Sequence, residues 1–139
     1  MKTKNTARRG NSTQNLPLQG WELFKRQKYF EAHEVWEDEW KLRTGEEKRL
    51  IQILILISAG AHHLFHRSNR PGCLQLWRKA RDRSRAMADQ GSNTPAIFAR
   101  KLYSLSQKLV KKTEVGENPS PELRIFTNDP IMFSWLKKL

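Results

Sequence analysis

Apolar side chains recur every three or four residues along most of this chain, with no stretch that reads as a strand, so the elements it predicts are helices. "GWELFKRQ" reads as a short helix that turns Trp21, Phe24 and Leu23 inward. A second runs from Tyr29 to about Arg43. Thr44 then stands as an N-cap with Glu47 three residues on, the capping-box pattern, and opens a third helix from Glu46 to Arg67. Its run from Leu50 to Ile57 is apolar almost all round, so other helices must cover it on several sides. "SNRPG" breaks the chain, and Asn69 caps a fourth helix whose inward stripe is Leu74, Trp77, Ala80, Ser84, Met87 and Ala88, with Gly91 as its stop. Thr94 and Pro95 start a fifth, which carries Leu102, Leu105 and Leu109 inward to about Lys112. The prolines of "GENPSPELRIFTNDP" predict an irregular segment. Asp129-Pro130 then opens a last short helix that docks Phe133, Trp135 and Leu136. The expected fold is all-α, a compact bundle of about five helices around a buried central helix.

Length and composition place limits on this picture. A chain of 139 residues fits one domain with one ordinary core. Residues 1–16 hold almost nothing apolar beyond Met1 and Ala7, so they predict a flexible basic arm ahead of a single helical domain at 17–139. The single cysteine, Cys73, excludes an internal disulfide and reads as a packing residue of a reducing compartment. No apolar signal region follows the N-terminal charges. The longest apolar run, "LIQILILISAGAHHLF", is short for a membrane span and carries Gln52, Ser58, His62 and His63. No membrane span is expected, and the expected location is the cytoplasm, or a plastid if the source is a plant or alga.

The net charge of +12 is unevenly spread. Residues 29–49 carry seven acids against four bases, whereas residues 50–139 carry fifteen bases against six acids. On the fourth helix Arg78, Arg81 and Arg85 form an outer stripe with Lys79 and Arg83 alongside. An excess of this kind suits an anionic partner, nucleic acid or an acidic protein surface, and the acidic segment could equally meet the basic surface of a second copy in a homodimer. No nucleic-acid-binding string is present, so charge alone carries that expectation.

The sharpest local signal is "YFEAHEVWEDEW". With about 100° between successive helical residues, His33 and Glu37 fall on the same arc as Tyr29, Phe30, Trp36 and Trp40, whereas Val35, Asp38 and Glu39 point away. A carboxylate buried on that arc needs a partner. On the third helix Gln52, Ala59 and His63 share one stripe, and the short Thr44-Gly45 connection makes the two helices antiparallel, so Glu37 is expected near Gln52 and His33 near His63. This predicts a partly buried polar socket with Tyr29, Trp40, Gln52, His63 and Asn69 around it. Three readings of the socket stand side by side, one of them a metal-free acid–base or ligand pocket. His33, Glu37 and His63 supply two nitrogens and an oxygen, a donor set for one divalent ion such as zinc, iron or manganese. His33, Glu34 and Glu37 are then the catalytic candidates of a hydrolase-like centre, with Glu34 as base, although the zinc-hydrolase helix has histidine where Glu37 stands. Alternatively His33, Glu37 and Gln52 form a hydrogen-bonded network that fixes helix register. His62 and His66, at i, i+4, read as surface histidines.

"LFKRQKYFEAHEVWEDEW", followed by Gln52, Leu54, Ile55, His63 and then Asn69-x-x-Gly72, resembles the small proteins grouped as domain-of-unknown-function family 309. The resemblance covers about Trp21 to Trp77 and implies a compact helical fold with no established activity. It singles out Phe24, Tyr29, Ala32, His33, Glu34, Glu37, Trp40, Gln52, His63, Asn69 and Gly72. The family usually places glycine where Gln27 stands, leucine-like residues at Trp36 and Glu39, and alanine at Cys73. Gln27 in place of glycine implies a strained turn or a longer first helix.

Overall fold

The computed structural model describes residues 16–91 and 93–139. Over them the helical periodicity becomes α1 (Leu16–Lys25), α2 (Tyr29–Leu42), α3 (Gly45–His66), α4 (Arg70–Ala88), α5 (Thr94–Glu114), α6 (Ser120–Thr127) and α7 (Pro130–Lys138). The basic arm expected at 1–16 lies outside the described residues except for Leu16, which begins α1 and is buried.

The central helix is α3. Leu50, Ile51, Ile53, Leu54 and Ile57 have no exposed surface, because α2, α4 and α5 all pack on it. Beyond those contacts α1 lies along α2, α4 along α5, and α6 and α7 close over α1. The common core runs through Trp21, Phe24, Trp36, Trp77, Leu102, Met132 and Leu136.

Two tryptophans set the spacing of these layers in the same way. A side chain at Gly20 of α1 would overlap the indole of Trp36 from α2, and that indole Nε1–H donates to the Pro17 carbonyl at 3.0 Å. On the neighbouring pair, a side chain at Gly60 of α3 would overlap the indole of Trp77 from α4, whose Nε1–H donates to the Ile57 carbonyl at 2.9 Å. In each case a glycine notch admits the ring, and the carbonyl three residues before it satisfies the buried donor.

The ends of the helices are mostly capped as the residue types dictate. α1 closes in a Schellman motif, with the Lys28 amide on the Leu23 carbonyl and the Gln27 amide on that of Phe24, both at 2.9 Å. Gln27 occupies the left-handed position at φ +63°, so the turn is strained rather than the helix extended. Thr44 is the N-cap of α3 but its side chain makes no capping bond. The expected capping box fails because Glu47 accepts from Arg43 instead, at 3.4 Å. Asn93 caps α5 in place of Thr94, accepting from the Ala96 amide at 2.9 Å.

The stretch expected to be irregular contains α6. Pro119 sits at its N-cap and Pro121 in its first turn, where a proline lacks no bond the helix needs and presets the helical φ. Phe133 is exposed rather than docked, and Met132 enters the core beside Trp135 and Leu136. No helix of the described residues is long and apolar enough to cross a membrane.

Candidate functional site

On α2 the buried arc is wider than one side. The helix lies between α1 and α3, so Ala32, Val35, Trp36, Asp38 and Glu39 are buried as well as Tyr29. The carboxylates driven inside are therefore Asp38 and Glu39, 7% and 3% exposed, and not Glu37. The ion-pair partner of Glu39 is Arg43 one turn on, whose guanidinium also meets Glu47 and donates to the Leu139 carbonyl at 2.8 Å. The i, i+4 spacing permits this pair, but its burial was not legible, since Glu39 lies on the arc that the helical wheel assigns to solvent.

His33 and Glu37 do meet, His33 Nε2 lying 3.4 Å from Glu37 Oε2, with Glu37 half-exposed. The ring of His33 stacks on Phe30 at 5.8 Å between centroids, and its buried Nδ1 has no hydrogen-bond partner among the described residues. Glu34 is half-buried beside them. The expected contact between Glu37 and Gln52 is replaced by another: Gln52 Oε1 accepts from Arg83 of α4 at 3.2 Å. Tyr29 belongs to the core, its ring edge-on to Phe24 at 5.1 Å and its carbonyl bonded to the Ser58 hydroxyl. Burial raises its phenol above the usual value, against a smaller lowering by Arg124.

His63 and Asn69 serve the turn from α3 to α4. Asn69 Oδ1 accepts from the Gly72 amide at 3.0 Å, its Nδ2 lies 3.3 Å from His63 Nδ1, and its amide donates to the His63 carbonyl at 2.8 Å. A side chain on Gly72 would overlap the Asn69 carboxamide, which explains Asn69-x-x-Gly72 as a capping unit. The set His33, Glu37 and His63 does not assemble, and among the described residues no three His, Cys, Asp or Glu side chains form a group that could hold a metal ion. Cys73 is fully buried, and burial pushes its thiol up to about 12, so it packs as a small apolar residue.

The polar stripe of α3 is nevertheless one surface. Gln52, Leu56, Ala59 and His63 are all half-buried, facing outward between α2 and α4. Trp40 of α2 borders it, with Lys48 Nζ 4.2 Å above its ring. On the other side lies α4, whose Arg78, Lys79, Arg83 and Arg85 are exposed and whose Arg81 is half-buried. Of these, Arg78 pairs with Glu114 at 2.8 Å and Arg81 with Asp82 at 3.0 Å, whereas Lys79 and Arg85 have no ion pair among the described residues.

This arrangement of hairpin, outward stripe and capped turn falls within one matched segment: residues 18–76 fit the model of a domain of unknown function, DUF309. That segment is a DUF309 domain. No curated protein and no solved structure matches the chain. The DUF309 segment covers the two indole locks except for Pro17 and Trp77, the buried α2–α3 hairpin and the Asn69–Gly72 turn. The cationic part of α4, from Arg78 onward, lies beyond it.

Proposed function

We propose that this protein is a binding module whose working surface is the outward stripe of α3 together with the cationic side of α4, and that its partner is a polyanion, a nucleic acid. The observation that carries this reading is the set of exposed bases on α4, of which Arg83 reaches Gln52 of the α3 stripe, in a chain of net charge +12. Backbone phosphates are met by such a row without any base-reading motif, since electrostatic neutralisation supplies most of non-specific affinity. The hydrolase-like reading has less behind it. Glu37 is half in water, His63 is engaged by a turn, and no metal-holding group is present among the described residues.

The test is fluorescence anisotropy of a labelled DNA duplex and a labelled single-stranded RNA over a range of salt. Binding is expected to weaken as salt rises, with a straight log–log dependence. Lys79→Ala/Arg83→Ala/Arg85→Ala is expected to reduce the slope on duplex by about 2–3, near 0.9 for each lost phosphate contact. Failure to bind either polymer at low salt, or binding insensitive to the triple substitution, sinks the reading.

A further inference from the structure

A second basic feature lies at the opposite end of the α2–α3 hairpin from the Thr44 turn. An open concavity of about 500 Å³ is lined by Gln27, Lys28, Phe30, Glu31, His62, His66 and Arg67. Its side chains come from the α1–α2 turn, the first turn of α2 and the end of α3; none comes from α4. Phe30 is one wall, 45% exposed, with the His62 ring 5.2 Å and the His33 ring 5.8 Å from its own. His62 and His66 stand one turn apart with ring centroids at 5.5 Å, and His63 adjoins His62 at 6.0 Å.

We propose that this concavity binds a small phosphate-bearing anion, held by Lys28 and Arg67 and by the rings of His62 and His66. The volume suits a ligand of pyrophosphate size or somewhat larger, with Phe30 offering an apolar face beside the charges. Two permanent cations, Lys28 and Arg67, face one carboxylate, Glu31, so the fixed charge alone favours an anion weakly. Protonation of His62 changes that balance. Burial lowers His62 below its ordinary 6.5, and His66, His63 and Arg67 lower it further, while Glu31 opposes them. A bound anion reverses the repulsion among these cations, so binding takes up protons and strengthens as pH falls. Gln27 adds a donor to the rim, on a residue whose left-handed backbone would suit glycine better.

The test is calorimetric titration of the intact protein with inorganic pyrophosphate at pH 6 and pH 8, with the imidazole signals of His62 and His66 followed by NMR. Binding is expected to be at least fivefold tighter at pH 6, with both histidine signals moving. Arg67→Ala, and separately His62→Gln/His66→Gln, are expected to weaken it at least tenfold, and Lys28→Ala several-fold. All four positions lie at the surface or only half-buried, and thermal melts establish that each variant folds. The triple substitution on α4 should leave this affinity unchanged. Absence of pyrophosphate binding, equal affinity at the two pH values, or loss only in the α4 variant would each overturn the site. The last two outcomes would still leave the polyanion reading of α4 intact.

Discussion

Arg43 holds three things at once at the end of α2: the buried Glu39 carboxylate, the exposed Glu47 of α3 and the Leu139 carbonyl near the end of α7. Removing it strands a carboxylate that water cannot reach, whereas breaking the half-exposed His33–Glu37 pair leaves both groups near solvent. Arg43→Ala is therefore expected to lower stability by about 2 kcal/mol, and His33→Ala or Glu37→Ala by about 0.5 kcal/mol or less. Urea unfolding of the three variants checks both figures, and a large loss in His33→Ala would restore a structural role for that pair. The contrast also shows what the sequence could not reveal at this scale. A helical wheel assigns one inward arc, but α2 is covered by α1 and α3 together, so Val35, Asp38 and Glu39 enter the interior from the arc that looks exposed. Asn69 was legible as the cap of α4, and its bond to the Gly72 amide is the contact that role implies; that His63 joins the same turn was not readable from spacing.

At the level of elements, the paired indole notches are the strongest constraint on how the helices sit. Each holds its neighbour at one height, because a one-turn slip would drive the ring against a side chain and strand its N–H. Gly20→Ala and Gly60→Ala are each expected to cost about 2–3 kcal/mol, although alanine is the better helix former at an exposed site. Thermal unfolding of the two variants beside an exposed control, Ala86→Gly, decides the matter: only a packing notch makes alanine worse than glycine. The helices themselves were readable from periodicity and capping residues, α3 most clearly, because its apolar run has one meaning only. α6 was not, because prolines halt a helix in its interior and start one at its first turn, and that difference depends on where the chain arrives from. The glycines at 20 and 60 gave a signal, a helix-weakening residue inside a helical pattern, that pointed to a close approach without naming the ring that makes it.

For the molecule as a whole, the all-α class and the buried central helix follow from the sequence, and residues 18–76 are a DUF309 domain. The α3 residues expected in a partly buried socket are half-buried along one stripe, but Gln52 bonds Arg83 of α4 rather than Glu37, and His63 bonds Asn69 rather than His33. Antiparallel pairing of α2 and α3 was deducible, but which flank of that pair faces water is set by helices far along the chain. The candidate chemistry therefore shifts from a shared socket to a shallow polar face with cationic α4 at its edge.

Trp40 gives that face its own optical signal. Of the five tryptophans, Trp21, Trp36, Trp77 and Trp135 are buried, and Trp40 alone is half-buried, beneath Lys48. Collisional quenching by acrylamide should thus act on one emitter out of five, and Trp40→Phe should abolish most of it. Saturation with the labelled duplex should shield the same emitter, so the fluorescence of the unlabelled chain reports occupancy directly. Quenching unchanged at saturation would place the docked polymer away from α2.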